Sequence, residues 1–188
     1  MIPIDKIWCY YCFERLQNPI RKDNQTIISD RMFKYEKIHY PLFVQFIVDN
    51  ELRGKVGCYN NIQIVNGLSE YSIAAGMKDF RFSPISKNEL QKLTCIVTVL
   101  YDFEPINDLQ NWNKEIYGLL MKYRGSTVSV FPSEIKGEIS NEVIFNNLVK
   151  KIGCAVGNPI EQIEMKQCKT MSVSANWSEY IEYINSNS

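Results

Sequence analysis

Histidine is nearly missing from this chain of 188 residues; the one copy is His39. A multi-histidine metal site within the chain is thereby excluded. A Ser–His–Asp or Cys–His device would have to be built on His39, which has no supporting motif around it. An excess of either charge is missing too: 21 basic and 21 acidic residues cancel and are mixed along the sequence. Without a Lys/Arg block, nucleic acid and membrane surfaces are not expected as partners. The aromatic residues lack the basic interleaving that base stacking needs. No apolar run approaches the roughly 18 residues of a membrane span. The opening "MIPIDKIWCYYCFERL" is interrupted by Asp5, Lys6, Glu14 and Arg15 and does not resemble a signal peptide, so a cytoplasmic or nuclear location is expected. In such a compartment the six cysteines are thiols. Only Cys9 and Cys12 form a C-x-x-C, so the four-ligand zinc pattern is incomplete; no metal and no cofactor are expected.

What is present suits a globular fold: 45% hydrophobic and 22% charged residues, enough for one domain or two small lobes sharing a core. Residues 4–17 predict a helix from the spacing of Ile4, Ile7, Trp8, Tyr11, Cys12 and Leu16, and its two cysteines read as packed thiols rather than a redox pair. Residues 19–40 lack periodicity and are expected to wander over the surface. "PLFVQFIVDNELRGKVGCY" is the strongest hairpin signal, with turn chemistry at Asp49-Asn50. A helix with small residues Ala74, Ala75 and Gly76 is expected over 67–78. A capping box, Ser86 with Glu89, opens a short helix before a buried strand over 93–103. Two strands around Arg124-Gly125, a helix from Ser140 to Gly153, a strand over 163–173 and a terminal helix complete the reading. Strands in antiparallel-looking pairs between helices predict an α+β fold: a mainly antiparallel sheet flanked by helices, in two intimately packed subdomains. No linker divides residues 1–188, which read as one domain with possible subdomains at 40–110 and at 1–39 plus 111–188.

At "LRGKVG", followed by "DFRFSPISKNEL", the sequence resembles the AMMECR family. The family pattern Leu-Arg-Gly-Cys-x-Gly is matched by Leu52, Arg53, Gly54, Val56 and Gly57. Its Asp-x-Arg-Phe-x-Pro is matched by Asp79, Arg81, Phe82 and Pro84, then Glu-Leu by Glu89 and Leu90. Trp112, Gly118, "VFP", "LVKKIG" and "YIEY" follow in order, and "CYYCFERL" and "YPLFV" are similar to eukaryotic members. Two positions depart from the pattern: Lys55 stands where the family usually has cysteine, and Tyr117 where histidine is frequent. Cys58 is a poor substitute for the missing thiol, since a shift of three along a strand turns a side chain to the other face.

The motif admits two readings. In one, Gly54 and Gly57 belong to a bulged strand packed on the small-residue helix, and Asp79 pairs with Arg53 or Arg81. In the other, the glycines are the bare floor of a cleft. Arg53 and Arg81 then contact an anionic small molecule or a protein partner's acidic group, and Asp79 orients them. An enzyme at the same cleft would take Asp79 as acid/base and Lys55 or Cys58 as nucleophile. The resemblance adds an accessory role beside Memo-type or radical-SAM chemistry, because prokaryotic relatives are often encoded or fused beside such proteins. The oligomeric state is not legible.

Overall fold

Helix α1, Ile7–Arg21, starts where the Asp5 carboxylate accepts a hydrogen bond from the Ile7 backbone N–H (3.1 Å), and runs past Pro19. A proline in the last turn removes one backbone bond without stopping the helix there. The computed structural model describes residues 3–21, 27–154 and 162–187. Burial of α1 exceeds its apolar stripe: Trp8, Cys9, Cys12, Phe13, Glu14 and Leu16 are all fully buried. Both cysteines are packed thiols, Cys9 donating to the carbonyls of Cys95 (3.6 Å) and Val173 (3.4 Å).

The 19–40 stretch does not simply wander over the surface. Ser29–Tyr35 forms 3-10 turns that bury Ile28, Met32 and Tyr35. Glu14 is the cause: its carboxylate accepts from the backbone of Ile28 (2.7 Å) and Ser29 (3.2 Å) and from the Ser29 hydroxyl (2.5 Å). Burial raises its pKa, against the pull of those bonds. Such a long-range anchor leaves no periodicity to read. Residues 22–26 lie outside the described residues.

Strand β1 (His39–Tyr40) leads into β2 (Leu42–Val48) and β3 (Glu51–Gly57), joined by Asp49-Asn50. Both turn residues have positive φ (49° and 65°), the type I′ signature that suits the twist of paired strands. A short strand β4 (Ile62–Gln63) pairs with β1. Helix α2 covers Ile64–Ile73 and widens into a π-turn over Ala74–Lys78, where one continuous helix is expected from sequence. The Ser86/Glu89 box exists but opens only a 3-10 turn, Leu90–Lys92, before β5 (Leu93–Pro105).

Strands β6 (Tyr117–Tyr123) and β7 (Ser126–Val130) turn at Arg124-Gly125, again with two positive φ angles. Helix α3 (Asn141–Lys151) begins at Ser140, whose hydroxyl accepts from the Val143 N–H (3.3 Å). Strand β8 (Glu164–Asn176) and helix α4 (Trp177–Asn187) complete the described chain. The six-stranded sheet has the order β3-β2-β5-β8-β6-β7, and the registers of β2 with β3 and β5, and of β6 with β7 and β8, are antiparallel. The fold is α+β with an antiparallel sheet and helices.

The chain divides into two compact units, Met1–Val99 with Met171–Ser188, and Leu100–Thr170. In the first, Phe13 is the aromatic hub, with ring centroids 5.3 Å from Trp177, 5.6 Å from Tyr180 and 6.2 Å from Phe46. In the second, Trp112, Leu119, Met121, Tyr123, Ile144 and Leu148 form a separate core. The Asn141 amide donates to the carbonyls of Leu109 (3.1 Å) and Trp112 (2.9 Å), fixing the loop before β6 to α3.

Candidate functional site

The β2–β3 register shows why Arg53 stands between a leucine and a glycine. Phe46 pairs with Gly54 and Ile47 with Leu52, leaving Arg53 as the extra residue of a β-bulge. A bulge re-aims the side chain at its position and tightens the local twist. Gly54 is buried against the π-turn: a Cβ there would lie 1.9 Å from the Ala75 carbonyl oxygen. At Gly57 a Cβ would lie 2.2 Å from the Leu42 carbonyl oxygen, inside the hairpin's own backbone. Neither glycine has a positive φ, so close approach is what requires them. The space above Gly54, expected as a bare cleft floor, is filled by the turn after α2.

That turn delivers the second motif. The Gly76 carbonyl accepts from the Ile85 N–H (2.8 Å) and the Asp79 carbonyl from the Phe82 N–H (3.0 Å), closing residues 79–85 into a tight loop. Asp79, with its side chain 4% exposed, accepts four hydrogen bonds. Oδ1 takes the Arg81 backbone N–H (3.2 Å) and Nε (2.9 Å); Oδ2 takes the Lys55 backbone N–H (3.0 Å) and Arg81 Nη2 (2.6 Å). Arg81 Nη2 also reaches the Lys55 carbonyl (3.1 Å), so loop and strand are joined twice through one residue. The Arg81 guanidinium holds the Asp79 carboxyl down to about 2, outweighing the opposing effect of burial.

Arg53 does not share Asp79. Its Nε donates to Glu89 Oε1 (2.8 Å) and its Nη2 to the Ser83 carbonyl (3.2 Å). Glu89 Oε2 accepts from the Ser86 N–H (2.9 Å) and hydroxyl (2.8 Å), so the capping residue and the arginine's partner are one side chain. Arg53 is the chief reason the Glu89 carboxyl also lies at about 2. Both guanidiniums approach the Phe82 ring, at 6.0 Å for Arg53 and 5.3 Å for Arg81. The structure therefore brings Arg53, Gly54, Lys55, Asp79 and Arg81 together, with two carboxylates for two arginines rather than one.

The chemistry available here is limited. Asp79 is ionised at neutral pH and each of its oxygens already accepts two hydrogen bonds, so it has neither a proton to give nor a free site to accept one. Lys55 Nζ lies 5.2 Å from the Phe43 ring centroid on the opposite face of the hairpin from Gly54. Cys58 is half-buried beyond the end of β3, its Sγ donating to the Asn60 carbonyl (3.1 Å). Tyr71 beside it has its hydroxyl pKa raised, first by burial and then by the Cys58 contact. Among the described residues, no three His, Cys, Asp or Glu side chains are grouped to hold a metal ion. No described helix is long and apolar enough to cross a membrane.

The sequence reading missed two features. Glu89 reads as a helix cap because Ser-x-x-Glu is a local pattern, whereas its second partner lies 36 residues away. Phe80, between the two locked residues of the loop, is 96% exposed. The available signal was "DFRF" itself: with the alternate residues Asp79 and Arg81 turned toward β3, the residue between them is left facing outward.

A family model described as AMMECR1 matches residues 9–172. An uncharacterized protein of Schizosaccharomyces pombe is 29% identical over 185 residues, covering 94% of this chain and 95% of its own. An uncharacterized protein of Arabidopsis thaliana is 25% identical over 200 residues, covering 98% and 91% respectively. Among solved structures, an uncharacterized protein from Pyrococcus horikoshii shares the fold, with a TM-score of 0.67 at 16% identity over 91% of this chain and 93% of that one.

Proposed function

This chain belongs to the AMMECR1 family, and from that premise we propose that it is an interaction domain whose LRGxxG hairpin and DxRF loop form a rigid, charge-balanced platform presenting Phe80 to a protein partner. The observation that carries the reading is Phe80 itself, 96% exposed between two residues whose side chains are locked to each other and to β3. Burying a phenylalanine side chain stabilises by about 2 kcal/mol, and a loop ordered in advance loses little entropy on docking. Lys78, which is exposed, and Arg81, with its side chain 45% exposed, flank the ring. The matching surface is an apolar pocket with an acidic rim. An accessory role beside another enzyme is one form of binding that such a platform serves.

A small anion at the same place would require Arg53 and Arg81 to exchange Glu89 and Asp79 for the ligand. An acid/base role for Asp79 would require a carboxyl titrating far above about 2. Both requirements favour the partner reading. The test is capture of interacting proteins on wild type, Phe80→Ser and Phe80→Leu, followed by affinity measurement with the recovered partner. The serine variant is expected to bind at least tenfold more weakly and the leucine variant to retain binding, with unfolding midpoints unchanged. Equal capture by all three would sink the platform. Native mass spectrometry supplies the opposing arm: a small anionic adduct on wild type that is lost from Arg53→Ala would restore the small-ligand cleft.

A further inference from the structure

The first unit carries a second feature, away from the LRGxxG and DxRF motifs. An open cavity of about 470 Å³ is lined by Asp5, Ile7, Tyr10, Arg31, Lys34 and Tyr183, from the start of α1, the 3-10 turns and α4. That volume is within the range of small-molecule sites, about 300–1,000 Å³. One wall is aromatic, with the rings of Tyr10 and Tyr183 at 4.9 Å between centroids and tilted by 38°.

The charge here is not balanced. Among the described residues, Arg31 donates to neutral acceptors, the Tyr183 hydroxyl and Asn187 Oδ1 (2.9 Å), and its guanidinium lies 5.2 Å from the Tyr183 ring centroid. Lys34 Nζ is 3.8 Å from Asp5 Oδ2 and 4.8 Å from the Tyr35 ring centroid. The same Asp5 oxygen accepts from the Tyr35 hydroxyl (2.9 Å), and the other oxygen accepts from the Ile7 N–H (3.1 Å). The neighbouring Lys6–Glu179 pair is neutral. Two cations and one shared carboxylate thus line the cavity, beside a pair of aromatic faces. Tyr183 and Asn187 hold the Arg31 guanidinium in place, so a ligand meets a pre-oriented cation.

We propose that this cavity binds a small anionic compound with a planar ring, the ring packing on Tyr10 and Tyr183 and its phosphate or carboxylate held by Arg31 and Lys34. Guanidinium and ammonium together suit either anion, and the surplus positive charge is what a carboxylate or phosphate would neutralise. The site is independent of Phe80 and its platform, so failure at one leaves the other standing.

Titration followed by backbone amide NMR tests the proposal with four probes: phenyl phosphate, benzoate, phenol and inorganic phosphate. The expected result is saturable shifts at the amides of Ile7, Tyr10, Lys34 and Tyr183 with phenyl phosphate or benzoate. Whichever of the two binds more tightly identifies the anion. Phenol and inorganic phosphate, each lacking one half of the ligand, should bind at least tenfold more weakly. Arg31→Gln and Lys34→Gln should each weaken the preferred probe about tenfold, with unchanged spectra elsewhere showing that the fold persists. Inorganic phosphate binding as tightly as phenyl phosphate would overturn the aromatic half of the proposal. Shifts that do not saturate, or wild-type affinity in both variants, would overturn it entirely.

Discussion

Two clusters of cationic side chains in the same unit differ in what faces them. At the motif, Arg53 and Arg81 each meet their own carboxylate, and Glu89 and Asp79 are both held at about 2. In the cavity, Arg31 and Lys34 have one carboxylate between them, and Asp5 also serves Tyr35 and the first turn of α1. The motif's arginines are thus neutralised within the fold, whereas Arg31 and Lys34 together keep a surplus positive charge. A pair of the first kind, with Asp79 buried and Arg81 half-exposed, fixes a loop conformation. An exposed cation of the second kind contributes little to folding and is open to an incoming anion.

The largest expected effect breaks the first cluster at its base. Gly54→Val would drive a side chain into the Ala75 carbonyl, which is backbone and cannot swing aside. A loss of about 3 kcal/mol or more is expected, read as a lower urea midpoint; a midpoint within experimental error of wild type would refute the packing described for β3 and the π-turn.

Acid is expected to act next. The Asp79 and Glu89 carboxyls lie at about 2 in the fold and near their ordinary values of 3.8 and 4.5 when unfolded. Their contribution is therefore complete above the unfolded values and is lost as pH falls through the folded ones. Each supplies on the order of 2 kcal/mol over that window. Glu14, raised by burial, works in the opposite sense, so the difference between wild type and Asp79→Asn isolates the motif. Asp79→Asn should be less stable at pH 7 and should lose less on acidification to pH 2. Parallel pH curves for the two proteins would mean that Asp79 is not the clamp.

The smallest expected effect sharpens the contrast. Arg31→Gln should change unfolding free energy by less than about 1 kcal/mol, while weakening the planar anion about tenfold. A stability loss as large as that of Asp79→Asn would put Arg31 in the same structural class as Arg81.

Much of the fold was legible because it is local. Asp49-Asn50 between alternating β-prone residues specifies the first hairpin, Arg124-Gly125 the second, and Ser140 with Gly153 brackets α3. Antiparallel pairing follows from such hairpins. Less legible was the 29–35 segment, whose order depends on Glu14 of a different element. The depth of α1's burial was also hidden, since an apolar stripe does not report neighbours on the remaining sides. At the site, the clustering of the LRGxxG and DxRF residues was readable from the resemblance. Which carboxylate serves which arginine was not, because Glu89 has a complete local explanation as a cap.

By itself the sequence determined the order and type of most elements, the antiparallel α+β class, and the proximity of the LRGxxG and DxRF stretches. Turn conformation, capping and alternation are set by residues a few positions apart. The tertiary structure alone decided that Gly54 faces protein rather than ligand, that Glu89 neutralises Arg53, that Phe80 is left outside, and that Tyr10, Arg31, Lys34 and Tyr183 share one cavity. Charge balance and exposure are sums over all neighbours in space, and most of those neighbours are far away along the chain.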